Sequence, residues 1–124
     1  MIQVETKLDI VDNSRAKYAK CIKVFKGNYA KIGDVALVSL KYVKPPKKNQ
    51  KSKIKKGQIC RALILRTKNR YKRKNGSLIN FSQNAALLLN NKDQPLASRA
   101  FGPTIQELRK LKSFKIISMI SYLI

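Results

Sequence analysis

Short runs of apolar and β-branched residues, separated by turn residues, fill the first three quarters of the chain. Runs of this length that end at glycine, proline or asparagine are typical of strands rather than helices. In one run, the expected core positions are Cys21, Val24 and Phe25. The candidate strands are residues 8–11, 21–25, 35–43, 59–67, 78–81 and 85–90.

The segment between residues 59 and 81 contains two patterns that indicate the architecture. Residues 62–65 are continuously apolar, which predicts a central strand covered on both sides or curled into a barrel. Asn75-Gly76 predicts a tight two-residue type I′ turn. This turn would join a basic strand to residues 78–81 and form a hairpin.

The last quarter of the chain changes to a helical pattern. Thr104 and Glu107 match a capping box, in which each residue satisfies a free backbone N–H at the start of a helix. Ile105, Leu108 and Leu111 then share one face of a helix of about three turns. We expect these three side chains to lie in the core.

The order of these elements predicts the fold class. Residues 114–124 are apolar and fit either a strand or a helix. Five or six short strands followed by one helix indicate a mainly β protein, a small antiparallel barrel with a helical appendage. We expect a single domain over residues 1–124, with the barrel at roughly 1–95 and the C-terminal loop and helix at roughly 96–124.

Charge decides which partners fit this chain. It has 28 Lys and Arg against 6 Asp and Glu, a formal net charge of +22. A small folded protein with this charge repels itself, and a polyanion relieves the repulsion. Nucleic acid is the usual polyanion, an anionic membrane surface is the second option, and a merely soluble lysine-rich protein is the third. Because basic residues occur along almost the whole chain, we expect RNA on several sides.

Two basic segments are the candidate RNA contacts, and both also fit ordinary solvated surface. The first is the loop at residues 44–56, which has little apolar content. The second is the basic ribbon before and around Asn75-Gly76, where a tyrosine is interleaved for stacking on a base or ribose. The candidate residues are Lys47, Lys48, Lys51, Lys53, Lys55 and Lys56 in the loop, and Arg66, Lys68, Arg70, Tyr71, Lys72, Arg73 and Lys74 in the ribbon.

Little in the sequence indicates catalysis. It has no histidine, no phosphate-binding glycine-rich loop and no recognisable nucleophile motif, so we expect no enzyme activity, cofactor or metal. Cys21 and Cys60 lie in apolar runs and are expected to be buried free thiols. No stretch approaches the about 18 apolar residues of a membrane span, and we predict no presequence and no membrane partner.

A set of short motifs, in order, carries a family resemblance. The motifs are Met1-Ile-Gln-Val-Glu-Thr, Asp12-Asn13-Ser14, Cys21-Ile-Lys-Val, Gly33-Asp34-Val35, Lys55-Lys56-Gly57, Arg66-Thr67-Lys68, Asn75-Gly76, Asn84-Ala85, Leu88-Leu89-Asn90-Asn91, Gln94-Pro95, Phe101-Gly102-Pro103, Glu107-Leu108-Arg109 and Lys115-Ile116-Ile117-Ser118. Each motif alone is weak, but their order and spacing are specific. Over nearly its whole length the chain resembles the family of universal large-subunit ribosomal protein fourteen.

The resemblance implies a fold and a set of partners. The fold is a five-stranded barrel with a projecting β-hairpin and a C-terminal loop and helix. The partners are large-subunit rRNA, large-subunit proteins three and nineteen, and small-subunit rRNA at inter-subunit bridges. Ser98, Arg99 and Lys115 match the face where a ribosome-silencing factor docks in that family, although rRNA contact or plain surface also fits them.

Three departures from the family pattern stand out. Arg15 follows Asp12-Asn13-Ser14 where the family usually has glycine, so we expect a different turn. The chain ends in Met119-Ile-Ser-Tyr-Leu-Ile instead of the family's proline-containing end. The lysine loop at residues 44–56 is longer than usual, which indicates a lineage-specific rRNA contact.

Two further expectations concern function and location. The resemblance favours a structural constituent of the large ribosomal subunit that acts in translation; the alternative is a free RNA-binding or RNA-chaperone barrel outside the ribosome. The 21 Lys, 13 Ile and 9 Asn have A/T-rich codons. This bias and the divergent end favour a gene carried by an organelle. We therefore expect a mitochondrial matrix ribosome, with a plastid or the bacterial cytoplasm as the alternatives.

Overall fold

The computed structural model describes residues 2–45, 54–111 and 114–124. Nine strands and two short helices occur in this part of the chain. They are β1 (Lys7–Ile10), β2 (Ala16–Val24), β3 (Val35–Val43), β4 (Ile59–Arg66), β5 (Tyr71–Lys72), β6 (Leu78–Ile79), β7 (Ala85–Leu89), β8 (Ala100–Thr104), α1 (Leu108–Leu111), α2 (Phe114–Met119) and β9 (Ile120–Leu123).

Five of the strands close into a barrel in the order β1-β2-β3-β4-β7, which confirms the predicted fold class. Four of the five neighbouring pairs are antiparallel, and β1 pairs with β7 in parallel, with Asp9 opposite Ala85. An odd number of strands cannot alternate in direction all the way around a closed ring. One parallel pair is therefore required where the barrel closes.

The predicted central strand at residues 62–65 is confirmed by burial on both of its faces. Ala62 and Ile64 belong to the cluster that fills the barrel. Leu63 and Leu65 point the other way and pack in a second cluster with Leu108 and other residues of the C-terminal segment. The barrel thus has one wall covered from outside, which explains the continuous apolar run.

Inside the barrel, the two cysteines are free and buried, as predicted. Burial raises the pKa of both Cys21 and Cys60, so their thiols stay protonated. Ile54 is 3% exposed and packs in the same cluster, although it belongs to the loop at residues 44–56, which has little apolar content. The prediction for Phe25 was wrong: its ring is 46% exposed, because β2 ends one residue earlier and the chain turns outward.

The C-terminal segment differs from the three-turn helix predicted at Thr104. Thr104 ends strand β8, and its buried hydroxyl donates to the carbonyl oxygen of Leu65 at 2.8 Å instead of capping a helix. The helix α1 begins only at Leu108 and is four residues long. A long-range hydrogen bond to the barrel therefore takes the place of the local capping box. Ile105 and Leu108 are buried as predicted.

Residues 114–124 contain both of the structures that fitted the sequence. The first six residues form α2, and Ile120–Leu123 form β9, which pairs in parallel with β8. Along the sequence, α1 and α2 therefore lie between the two strands of the β8-β9 sheet. This arrangement places the C-terminal segment against the outer face of β4 and β7.

The hairpin of β5 and β6 is present, but its turn differs from the predicted type I′. Arg73 N donates to Ser77 O at 2.9 Å, so the loop has three residues rather than two. Gly76 has a φ of 90°, whereas Asn75 is not among the positive-φ residues. A type I′ turn needs positive φ at both central positions. A three-residue loop with glycine in the last position satisfies the strand pairing instead.

Two residues with positive φ show how backbone conformation is enforced. Arg15 adopts a φ of 78°, so the backbone keeps the left-handed conformation that glycine favours, in place of the altered turn we expected. Its Nη1 donates to the carbonyl oxygen of Pro45 at 2.9 Å. Gly102, in β8, has a φ of 84°, and a Cβ there would overlap the guanidinium of Arg66.

Replacing Gly102 with alanine tests this close approach. Arg66 Nη1 donates to the carbonyls of Phe101 and Pro103, each at 3.0 Å, so the guanidinium cannot move without breaking both bonds. Positive φ costs about 1–2 kcal/mol for a non-glycine residue, and overpacking adds about 1–3 kcal/mol. We expect Gly102→Ala to lower the free energy of unfolding by about 2–5 kcal/mol in urea titrations.

The matched control is Gly57→Ala. Gly57 has a similar φ of 83°, and a methyl group at this position would meet nothing within 4 Å. Only the conformational cost of about 1–2 kcal/mol applies here. Equal losses for the two variants would contradict a steric role for the contact between Gly102 and Arg66.

Candidate nucleic-acid interface

The hairpin of β5 and β6 carries several exposed cations. Arg70, Lys72 and Lys74 are exposed, and Tyr71 is half-buried between two of them. In the loop, Asn75 Oδ1 accepts from the backbone N–H of Ser77 at 3.0 Å and fixes the end of the ribbon. The hairpin therefore holds several positive groups close together on a short, ordered support, where they can neutralise neighbouring RNA phosphates.

An open cleft lies at the base of the hairpin. It has a volume of about 370 Å³, and Lys31 joins Arg70, Tyr71 and Lys72 in its wall. Lys31 comes from the turn before β3, so the fold brings together cations that are far apart in the sequence. The cleft combines an aromatic ring with guanidinium and ammonium groups, which is the chemistry that binds a nucleotide.

Arg73 has a different role from its neighbours on the hairpin. Its Nε lies 3.1 Å from a carboxylate oxygen of Glu107, and its Nη2 donates to the carbonyl oxygen of Ile124. Both groups belong to the C-terminal segment. Arg73 thus fastens the hairpin to the rest of the molecule, a contact across 34 residues that the local sequence pattern did not reveal.

Arg66 was predicted on the surface of the ribbon, but the structure places it in the interior. It is 5% exposed, and its guanidinium donates to Phe101 and Pro103. Burial lowers the pKa of this guanidinium, while Tyr122 and Asp9 raise it in part. Because strand β4 is covered on both faces up to its last residue, Arg66 supports the C-terminal segment instead of facing solvent.

Lys55 and Lys56 lie in the turn before β4, and both are exposed. The backbone N–H of Lys55 donates to Gln58 Oε1 at 3.1 Å, so the turn is ordered by its own hydrogen bond. Lys68, at the other end of β4, is also exposed, and its N–H donates to Asn84 Oδ1 at 2.9 Å. The other predicted loop residues lie outside the described residues: Lys47, Lys48, Lys51 and Lys53.

The structure places Ser98 and Arg99 in an exposed loop that Asn13 holds. Asn13 Oδ1 accepts from the backbone N–H groups of both residues, at 3.0 and 3.2 Å. Lys115 is exposed on α2, and its carbonyl accepts from the Ser118 hydroxyl at 2.8 Å. Asn13 belongs to the turn with Arg15, so that turn and the loop at Ser98 form one hydrogen-bonded unit.

Sequence reasoning missed an aromatic pair on the outer face of the barrel. Tyr18 in β2 lies directly opposite Tyr42 in β3. Their rings are parallel to within 7°, and their centroids are 6.2 Å apart. Each tyrosine follows a lysine in the sequence, but only the strand register places the two rings side by side. The sequence signal for this pair was a tyrosine at an outward-facing position in each of the two basic strands.

Few carboxylates offset the surface charge. Within the described residues the ion pairs are Lys26–Asp34 at 3.9 Å, Arg61–Asp93 at 3.1 Å and Arg73–Glu107 at 3.1 Å. Most of the described lysines therefore face solvent without a carboxylate partner. Among the described residues, no helix has the length and apolar character needed to cross a lipid bilayer.

The family comparison agrees with the barrel and the cationic surface. The family model described as Ribosomal protein L14p/L23e matches residues 1–124. This family consists of structural proteins of the large ribosomal subunit that bind its rRNA and have other ribosomal proteins as partners. The match covers the whole sequence, and the closed five-stranded barrel is the fold of this family. The chain therefore belongs to the Ribosomal protein L14p/L23e family and is an rRNA-binding structural constituent of the large ribosomal subunit.

Proposed function

We propose that the hairpin and the cleft at its base form the principal rRNA contact of this protein. The main support is that Arg70, Tyr71 and Lys72 line one cleft together with Lys31, which is distant in the sequence. Arg70 can bind a phosphate with two parallel hydrogen bonds, and the ammonium groups act as point charges. The ring of Tyr71 offers a face to a base or ribose.

The mechanism depends on how firmly the hairpin is held. A free two-stranded ribbon this short is not stable by itself. The Arg73–Glu107 ion pair, at 3.1 Å, fastens it to the C-terminal segment. The exposed cations are thereby fixed relative to the barrel before rRNA binds, which reduces the ordering cost of association.

A second proposed contact is the loop that leads into β4. Lys55 and Lys56 extend from an ordered turn, and buried Ile54 anchors the chain beside them. Phosphate binding by such a loop releases counterions. We propose that the neighbouring lysines continue this contact: Lys47, Lys48, Lys51 and Lys53.

Finer partners are proposed from the family resemblance. They are large-subunit proteins three and nineteen, small-subunit rRNA at inter-subunit bridges, and a ribosome-silencing factor at Ser98, Arg99 and Lys115. The accessibility of these three residues supports the last of these proposals. The ordered loop at Ser98, held by two N–H bonds to Asn13, would present a fixed surface to such a factor.

We also propose that the protein works in the mitochondrial matrix ribosome and is encoded by the organelle. The support is compositional: 21 Lys, 13 Ile and 9 Asn indicate A/T-rich codons. The divergence of the C-terminal residues from the family pattern points the same way.

Removing three hairpin cations tests the main contact. In the variant Arg70→Ala, Lys72→Ala, Lys74→Ala we expect weaker binding to large-subunit rRNA fragments. Each lost phosphate contact lowers the slope of log affinity against log salt by about 0.7–0.9, so the slope should fall by about 2–3. Filter binding over a range of salt concentrations measures this slope. The control removes three exposed cations elsewhere, Lys92, Arg109 and Lys110, and an equal change of slope in both variants would contradict the proposal.

Removing the carboxylate that holds the hairpin should change the affinity for RNA in the direction opposite to the one that net charge alone predicts. Glu107→Ala raises the net charge of the protein, which alone should strengthen RNA binding. Because it also frees Arg73 and loosens the hairpin, we expect the affinity for the same rRNA fragments to fall severalfold. The control Asp93→Ala makes the same charge change at the Arg61 pair, away from the hairpin, and should leave the affinity unchanged or higher. Stronger binding by Glu107→Ala would refute the anchoring role.

A further inference from the structure

The tyrosine pair on the outer face of the barrel is unusual for a face that contacts only water. Tyr18 and Tyr42 are opposite each other on neighbouring strands, parallel to within 7°. Tyr42 is 44% exposed and Tyr18 is half-buried. The two parallel rings place aromatic surface on an accessible face of the sheet, and single-stranded nucleic acids stack their bases on aromatic side chains of this kind.

Lysine ammonium groups lie against both rings. Lys7 Nζ is 4.4 Å from the centroid of Tyr18, and Lys17 Nζ is 5.5 Å from the centroid of Tyr42. Within the described residues neither ammonium forms an ion pair with a carboxylate. Each is therefore held beside an aromatic face by a cation–π contact and keeps its hydrogen-bond donors for an anion.

A large open cleft adjoins this surface. It has a volume of about 760 Å³, within the range that holds a ligand of nucleotide size. Lys17, Tyr18, Lys44 and Phe101 are among its lining residues. Phe101 is 56% exposed, so the cleft offers a second aromatic side chain.

The carboxylates in the cleft wall do not cancel its positive charge. Asp12 is 6% exposed and accepts from the backbone N–H groups of Ser14 and Leu88, at 3.1 and 3.0 Å. The side-chain nitrogen of Gln83, in its hydrogen-bonded orientation, donates to Asp9 at 3.2 Å. Both carboxylates are thus hydrogen-bonded within the protein, and the three basic residues of the lining, Arg15, Lys17 and Lys44, outnumber them.

We propose that this surface binds an unpaired nucleotide of RNA. A base stacks on a ring of the Tyr18–Tyr42 pair in place of the lysine ammonium group over it, and the adjoining phosphates bind the ammonium groups of Lys7, Lys17 and Lys44. A paired base is inaccessible inside its duplex, whereas an extruded base exposes the faces that stack. Lysines at both rings favour a polyanion over a protein partner here. The inference rests on the proposed function, since rRNA supplies the nucleotide, but it uses residues separate from the hairpin.

The test compares two RNA probes on the full-length protein. One is a labelled eight-nucleotide oligouridine, and the other is a blunt sixteen-base-pair RNA duplex. Tyr42→Leu removes one ring without changing charge, and we expect it to weaken oligouridine binding about tenfold. The duplex affinity should not change, because the phosphate contacts remain. Tyr42→Phe keeps the ring and should bind both probes as the unmodified protein does.

Tyr29→Leu is the matched control, because Tyr29 is also 44% exposed but is outside this face, in the turn region between β2 and β3. It should leave both affinities unchanged. An unchanged oligouridine affinity in Tyr42→Leu, an equal loss on the duplex, or an equal loss in Tyr29→Leu would overturn the proposal. If Tyr42→Leu keeps its oligouridine affinity yet fails to enter large subunits, the face docks a protein and the proposal is also overturned.

Photo-crosslinking of the unmodified protein avoids reliance on variants that fail to fold. Oligouridine with 4-thiouridine should crosslink to peptides that contain Tyr18 or Tyr42. Crosslinks confined to residues 66–77 would contradict the proposed nucleotide site and leave the hairpin contact intact. The variant Arg70→Ala, Lys72→Ala, Lys74→Ala tests the hairpin contact independently of the tyrosine site. Neither tyrosine contributes to its expected change in salt dependence.

Discussion

The separation of an apolar interior from an unneutralised cationic exterior governs this molecule. The barrel interior is filled by alanine, leucine, isoleucine, valine and the two cysteines. The three ion pairs in the described part of the chain use three of its six carboxylates, against 28 basic residues in the sequence. A protein of this size cannot bury so many charges, since each costs several kcal/mol when desolvated without a partner. The cations must therefore face outward, where rRNA phosphates neutralise them.

Two arginines are exceptions, and they hold the exterior in place. Arg66 is buried and binds carbonyl groups on both sides of Gly102, which fixes β8 against the barrel. Arg73 pairs with Glu107 and binds Ile124, which fixes the hairpin to the C-terminal segment. Guanidinium groups suit this task, because their fixed fork of donors can satisfy several acceptors at once. These two arginines thus position the surface cations that we propose bind rRNA.

The sequence predicted what depends on local pattern and missed what depends on distant contacts. Strand β3 has the predicted bounds, and the apolar run at residues 62–65 indicated burial on two sides. The prediction of a capping box at Thr104 was wrong, because the Thr104 hydroxyl donates to the carbonyl oxygen of Leu65, 39 residues away. For the site, the exposed cations of the hairpin could be predicted from the ribbon, whereas the inward position of Arg66 and the Tyr18–Tyr42 register could not. These two features arise only when strands and segments pack together.

A reconstruction of the large ribosomal subunit that contains this protein would show whether the cations of the hairpin contact rRNA. The measurement is the distance from each hairpin cation to the nearest rRNA phosphate oxygen. We expect Arg70, Lys72 and Lys74 to lie within hydrogen-bond distance of phosphates, while Arg66 and Arg73 keep their bonds within the protein. A particle in which the hairpin faces solvent, with phosphates bound elsewhere on the barrel, would contradict it.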